Sequence, residues 1–377
     1  MDSPFSYSRG ELPAGWNKRR LGSLLQFRNG QDVPGTDNES KSYPVYGSGG
    51  EFKRTNKYLF DGTSILFGRK GTIDKPLLVN GRFWAVDTMY FTVPRPDVDP
   101  RFVYYWALDA PLSILSTNTA VPSMTSSDLA QLYLAVPPLD TQCAIADYLD
   151  RETAEIDDMR TDLDKMERLM TERRQAIKAK YFESSTSYTA VKVKYVATIN
   201  TGSGDTQDAI EDGQYPFYVR SDTVLSSNQW EFNGPAVLTA GDGAGVGKIF
   251  HYAEGKFKVH QRVYCIHGFR DVDPMYFFHA FSYLLPKEVL YGGASSTVPS
   301  LRMHMLEDLQ IPLPPLAEQR RIAGEINRET SEINLMLEDI KKLRNLLAER
   351  RAAVISAAVT GQIDIPASPT TKDESHA

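Results

Sequence analysis

From Leu139 to Lys180 the chain alternates apolar and polar positions on a four-three spacing. Ile145, Leu149, Ile156, Met159, Leu163, Met166, Met170 and Ile177 carry the pattern, and Glu152 and Arg173 stand in its two gaps. This is the period of a helix with a coiled-coil seam. The same pattern returns 177 residues later, between Leu316 and Ala357, as Ile322, Ile326, Glu329, Ile333, Met336, Ile340, Leu343, Leu347, Arg350 and Val354. Even the polar interruptions recur at equivalent places. About forty helical residues at 1.5 Å each make a rod of roughly 60 Å, longer than one globular core requires. Two such rods in one chain are expected to pair antiparallel. In the register that sets Glu152 against Arg350, Arg173 meets Glu329, Met159 faces Leu343 and Met166 faces Met336, so both polar breaks are matched by opposite charge.

The stretches between the rods read differently. "GWNKRRLGSLLQFRNG" opens a mixed, mainly β domain, followed by "YPVYGSGG", Ser64 to Phe67, Phe83 to Val93 and a helix from Pro100 to Leu108, with Gly, Asp, Pro and Asn in the turns. After the first rod the chain repeats itself. "YPVYGSGG" at Tyr43 is answered by "YPFYVRSD" at Tyr215, and "ILFGRKGTIDK" by "VLTAGDGAGVGK", aligning Gly68 with Gly241 and Lys75 with Lys248. "DVDPRFVYY" at Asp97 is answered by "DVDPMYFFH" at Asp271, and "STNTAVPSM" at Ser116 by "GASSTVPSL" at Gly293. Ordered repetition of this kind means internal duplication. The expected fold is α+β: two mixed, mainly β globular domains (12–137 and 183–314) alternating with two long helices (138–182 and 315–361) that pair as an antiparallel coiled coil with pseudo-two-fold symmetry. An N-terminal arm (1–11) and a polar, flexible tail (362–377) complete the division.

Composition narrows the class. Of 377 residues 41% are hydrophobic and 24% charged, as in soluble globular proteins. No run of eighteen apolar residues occurs and the N-terminus lacks a basic start, so a cytoplasmic protein without membrane contact is expected. Cys143 and Cys265 read as buried structural thiols. A net charge of -6 argues against a nonspecific nucleic-acid coat. The balance is uneven, however: residues 12–137 include 14 basic and 11 acidic residues, residues 188–314 10 and 13. A DNA-binding surface needs only one face to be basic.

Catalytic motifs fail one by one. "TAGDGAGVGK" lacks the first glycine and the terminal Ser or Thr of a phosphate loop, and the adjoining stretch "IFHYAEGKFKVH" reads as a hairpin rather than a dinucleotide-binding unit. A tight turn is the simpler reading. Asp242, Glu254 and Lys256 make a loose nuclease-like set, but the first repeat has Arg69 where Asp242 stands and nothing in place of Glu254. The histidines show no metal-ligand spacing. "VPPL" lacks the asparagine and aromatic residue of the tetrapeptide with which amino-methyltransferases hold a base. No catalytic and no metal residues are assigned. Basic residues among aromatics offer more: Lys53, Arg54, Lys57, Arg69 and Lys70 in the first domain, and Arg220, Lys248, Lys256, Lys258, Gln261 and Arg262 in the second, are candidates for phosphate and base contacts.

"VPPLDTQCAIADYLD" and "LPPLAEQRRIAGEINRE" each open a long helix after a β-rich domain, and the helices end near "ERRQAI" and "ERRAAV". This ensemble resembles the specificity subunit of type I restriction-modification systems, over roughly Leu12 to Gly361. The resemblance implies two target-recognition domains, each reading half of a bipartite double-stranded DNA target, and helices that space them and dock two methyltransferase subunits, with restriction subunits joining that core. It implies no cofactor in this chain, S-adenosylmethionine in the methyltransferase partner, and ATP and Mg2+ in the restriction partner. Cys143 and Ala144 stand where the second repeat has Arg320 and Arg321, so the two docking surfaces need not be equivalent. Two other readings stay open on the residues alone: a DNA-binding or scaffold protein outside a restriction system, and a self-contained methyltransferase or nuclease with degenerate motifs.

Overall fold

The computed structural model describes residues 12–33, 43–116, 121–183, 188–291, 300–363 and 365. The expected arm and most of the expected tail lie outside these residues, as do 117–120 and 293–299 of the repeated segment at Ser116 and Gly293. The chain forms two compact units: one takes the described residues up to Leu163 and those from Lys342 onward, the other Asp164–Lys341. No described helix is long and apolar enough to cross a membrane.

The first unit runs β1 (Asn17–Arg20), α1 (Leu21–Leu24), β2 (Leu25–Asn29), β3 (Tyr43–Gly47), β4 (Gly50–Thr55), β5 (Phe60–Asp61), β6 (Ser64–Gly68), β7 (Leu77–Val79), β8 (Arg82–Ala85), β9 (Met89–Pro94), α2 (Pro100–Asp109), α3 (Ser126–Gln131), β10 (Tyr133–Val136) and the start of α4 (Leu139–Phe182). After α4 come β11 (Ala190–Lys192), α5 (Val193–Val196), β12 (Thr198–Thr201), β13 (Tyr215–Tyr218), β14 (Leu225–Ser227), β15 (Phe232–Asn233), β16 (Ala236–Ala240), β17 (Phe250–Ala253), β18 (Lys256–Val259), β19 (Val263–His267), α6 (Pro274–Tyr291), α7 (Met303–Glu307), β20 (Gln310–Pro312) and α8 (Leu316–Val359). The sheets repeat strand for strand. Orders β2-β9-β6-β7 and β4-β3-β8-β5 in the first unit become β12-β19-β16-β17 and β14-β13-β18-β15 in the second, and the pair β1-β10 becomes β11-β20. The duplication read from the sequence is thus a duplication of topology.

In each lobe the two four-stranded sheets share a core: Leu66, Phe83, Met89 and Phe91 in one, Leu238, Phe257, Val263 and Cys265 in the other. A larger core lies against the helices. Leu21, Phe102 and Trp106 pack with Ile145, Leu149 and Ile355; Tyr276, Phe277 and Phe281 pack with Phe182, Ile322 and Ile326. The repeated "DVDP" supplies the helix starts. Asp99 accepts from the Arg101 amide at 2.8 Å, and Asp273 from the Met275 and Tyr276 amides at 3.1 and 3.0 Å, with proline at the first helical position where no donor is lost.

A buried glutamine ties each long helix to its lobe, a feature not anticipated from the sequence. Gln142 accepts from the Asp99 amide at 3.0 Å and donates to the Pro137 carbonyl at 3.0 Å. Gln319 repeats this on the Asp273 amide and the Pro314 carbonyl, both at 2.8 Å. Each glutamine is 1% exposed. One side chain thereby satisfies a helix-start carbonyl and a loop amide that would otherwise be stranded.

Several expectations need correction. The segment 250–259 is no hairpin: β17 pairs with β16, and β18 with β13 and β15. The chain changes sheets at Gly255, and likewise at Gly81, both at positive φ (69° and 92°), which glycine adopts without strain. The repeat alignment shifts by one residue. Gly68 pairs with Met89 as Ala240 pairs with Val263, and Lys70 bridges Ser123 as Asp242 bridges Ser300. Lys70 therefore stands at the place of Asp242, and Arg69 at that of Gly241. Of the thiols, Cys265 is buried and Cys143 half-buried.

The paired helices follow the expected seam only in part. In the first unit Arg350 meets Glu152 at 3.1 Å, and Arg351 meets Asp157 at 3.5 Å. In the second unit Arg173 is exposed, while Glu329 pairs with Lys180 at 3.6 Å and accepts from the Tyr181 hydroxyl at 3.1 Å. Phe182, seated in that unit's core, brings Lys180 and Tyr181 to Glu329 in place of Arg173. Ile145, Leu149, Ile156, Ile322, Ile326, Ile333 and Ile340 are buried; Leu163, Met170, Ile177, Leu347 and Val354 are half-buried. Met159, Met166, Met336 and Leu343 remain 37%, 47%, 47% and 48% exposed. A two-helix seam covers a side chain from one side only, whereas Ile145 and Ile322 gain a second wall from a lobe.

Candidate nucleic-acid interface

In the second unit the glycine-rich turn after β16 meets the short turn from β18 to β19. The Gly241 amide donates to the Arg262 carbonyl at 2.9 Å, which locks the two turns together. Gly202 allows β12 to approach them: a Cβ there would lie 2.0 Å from the Val259 carbonyl oxygen, and Gly30 makes the same approach to Val86 at 1.9 Å. Asp242 accepts from Arg220 at 2.7 Å and from Arg262 at 3.1 Å. Burial raises its pKa, but the Arg220 bond and the charge of both guanidiniums outweigh this, and the carboxyl stays below its ordinary range. Both arginines are exposed, so one carboxylate organises two cations at the surface. Gln261, also exposed, donates to Asp205 at 3.0 Å. His260 beneath them is buried, and burial and then Arg220 push its pKa down.

Lys248 is exposed on the glycine-rich turn. Lys256 is exposed with its ammonium 4.5 Å from the ring centre of Trp230, itself 45% exposed. Lys258 differs from the rest. It is buried, with its ammonium on Asp208 and Gln229, both at 3.0 Å. β18 is an inner strand, hydrogen-bonded along both edges, and Phe257, Lys258 and Val259 on it are all buried, which residue type alone does not reveal. Lys258 holds the lobe together instead.

In the first unit Lys53 and Arg54 lie on β4, an edge strand, and are exposed beside Phe52, itself 60% exposed. Arg54 pairs with Glu51 at 2.9 Å. Lys57, just beyond the strand, is exposed. Arg69 and Lys70 occupy the turn after β6, where their amides donate to the Thr88 carbonyl at 2.8 and 3.3 Å. Arg69 is half-buried and Lys70 exposed. Both lobes thus place cations at the same end of the same sheet, but the first offers two side by side and the second a pair bridged by Asp242. Arg82, which the sequence did not single out, is also exposed in the first lobe, bonded to Asp61 at 2.8 Å and 4.9 Å from the Tyr58 ring centre.

The nuclease-like set does not assemble. Asp242 serves two arginines, Glu254 accepts from Tyr252 at 3.0 Å, and Lys256 lies over Trp230. Among the described residues no three His, Cys, Asp or Glu side chains gather as metal ligands.

The molecule is thus built as two copies of one lobe, each presenting cations and polar side chains on equivalent turns and anchored by an equivalent glutamine to a long helix. The family model described as the type I restriction modification DNA specificity domain matches this chain twice, over residues 13–168 and 186–343. The chain is 29% identical over 177 residues to the type I restriction enzyme EcoDI specificity subunit of Escherichia coli, covering 46% of this chain and 38% of the relative. It is 24% identical over 156 residues to the EcoprrI specificity subunit of the same organism, covering 40% and 38%. The matches thus span well under half the length of these curated relatives. Its fold is that of a solved chain from work on the structural basis of complex assembly and conformational transition of the type I R-M system: TM-score 0.63 at 17% identity, covering 94% of this chain and 100% of the other. The chain belongs to the type I restriction modification DNA specificity domain family.

Proposed function

We propose that this chain is the non-catalytic subunit that directs a type I restriction-modification complex to its DNA. In this reading residues 12–137 and 183–314 are target-recognition domains, each reading half of a bipartite duplex target. The segments 138–182 and 315–361 fix the distance between the halves and dock two methyltransferase subunits. Restriction subunits join the assembly; S-adenosylmethionine is used by the methyltransferase partner, and ATP with Mg2+ by the restriction partner. The observation that carries the reading is a framework duplicated strand for strand whose surface turns differ: Arg69 and Lys70 in one lobe, Asp242 flanked by Arg220 and Arg262 in the other. Identical scaffolds with different side chains at one place suit the reading of two different sequences.

In this reading Lys53, Arg54, Lys57, Arg69 and Lys70 contact one half-site, and Arg220, Lys248, Lys256, Gln261 and Arg262 the other, while Lys258 serves the fold. Helices of 44 residues each extend about 66 Å, enough to span more than one DNA turn. The test is reconstitution with a cognate methyltransferase subunit, and then exchange of residues 183–314 for the corresponding segment of a relative. Methylation of one split sequence, with only one half changed by the exchange, is expected. Methylation by this chain alone, or a change in both halves, would overturn the reading.

A further inference from the structure

The second unit contains a cleft of about 410 Å3, between the later part of α4, α6, α8 and the glycine-rich turn, that DNA reading touches only at its rim through Lys248. Its floor is a buried cation. Lys178 is 7% exposed, donates to Ser282 Oγ at 2.8 Å and lies 5.6 Å from the Phe278 ring centre. Among the described residues no carboxylate pairs with it; burial, then the charge of Arg174, push its pKa down to about 8. Arg174 lines the same cleft, half-buried, and donates to Asn334 at 3.4 Å. The one carboxylate among the lining residues, Asp222, is exposed.

A second buried group points the same way. His279 lines the cleft and is 4% exposed. Its Nε2 donates to Asn327 Oδ1 at 2.8 Å, which leaves Nδ1 a bare acceptor, buried and without a hydrogen-bond partner. A buried charge without a counter-charge and a buried acceptor without a donor each cost free energy unless a ligand supplies what is missing.

The duplication shows that the fold does not require these residues. At the position of Lys178 the first unit has Ile355, buried in its core, and at that of His279 it has Tyr105, whose hydroxyl bonds Asp150 at 2.7 Å. The same packing is achieved there without an orphaned charge. We propose that the cleft of the second unit binds a small phosphate-class oxyanion that keeps one proton, its oxygens taken by Lys178 and Arg174 and its hydroxyl by His279.

The test is calorimetric titration of the full chain with inorganic phosphate, against sodium chloride and sulfate at matched ionic strength. Saturable phosphate binding is expected, with sulfate weaker for want of a hydroxyl. Lys178→Met should weaken it at least about tenfold, the loss of one charge-assisted contact. Should that variant fold poorly, Lys178→Gln and the phosphorus resonance of phosphate titrated with the unaltered chain give the same readout. Equal responses to phosphate and chloride, undiminished binding in both variants, or sulfate binding as tightly as phosphate would overturn the proposal. So would an absence of phosphate binding together with weakened duplex-DNA binding in Lys178→Met, which would assign the cleft to a DNA backbone phosphate. No methyltransferase enters the experiment, so its failure leaves the DNA-reading proposal intact.

Discussion

Replacing Gln319 by alanine tests whether a single side chain holds the second helix to its lobe. The truncation removes the acceptor for the Asp273 amide and the donor to the Pro314 carbonyl, both at 2.8 Å, in a place where the glutamine is 1% exposed. Each orphaned group costs about 1–3 kcal/mol, so two of them in this buried setting should together cost about 4 kcal/mol. Glu at this position keeps the acceptor but sets a carboxylate oxygen against the Pro314 carbonyl, and should cost nearly as much. Denaturant unfolding measures the total, and amide exchange localises it: residues 271–277 should exchange about a thousandfold faster while residues 97–103 are unchanged. Gln142→Ala should do the reverse, and the two losses should add because the ties share no partner. A cost below about 0.5 kcal/mol, or faster exchange spread evenly over both segments, would refute the argument that these glutamines are specific anchors.

The same geometry sets other outcomes. Arg350→Ala should cost less than about 1 kcal/mol, since its pair with Glu152 is partly solvated, and exchanging the two residues should restore what either reversal alone loses; thermal unfolding of the four variants checks this. Lys53→Ala and Lys57→Ala should each lower the salt dependence of DNA binding by about one ion without changing stability, whereas Lys258→Ala should destabilise its lobe; binding isotherms at several salt concentrations separate the two cases. His279 has its pKa lowered from 6.5 to about 4, chiefly by burial. As pH falls through that window the unfolded chain takes up the proton first, so stability is lost between those values, by up to about 3 kcal/mol, and this part of the decline should vanish in His279→Asn when the two are compared in phosphate-free buffer.

Local periodicity carried much of the fold. The two helices, α2 and strands such as β3 and β6 were legible because apolar residues recur at the period of the element they form, and the duplication because four motifs recur in order; Phe83 to Val93, read as one stretch, divides into β8 and β9 in different sheets. Opposite charges at Glu152 and Arg350 even disclosed one true contact between helices far apart in sequence. The candidate interface was legible as residue types only. Arg220 and Arg262 carry no sign in the sequence that Asp242 draws them together, nor does Lys258 show that its side chain is buried against Asp208 and Gln229.

The sequence by itself determined the elements, their order and their repetition, since these rest on propensities and periods within a few neighbouring residues. Tertiary structure alone decided which polar groups are satisfied. Gln142 and Gln319 look like surface residues of a helix's first turn until Asp99 and Asp273 are brought beside them. Lys178 looks like one more lysine of a solvated rod until α6 closes over it. Burial and partnership depend on chain segments distant in sequence, and the free energy of a buried polar group is set by those partners rather than by its own neighbours in the chain.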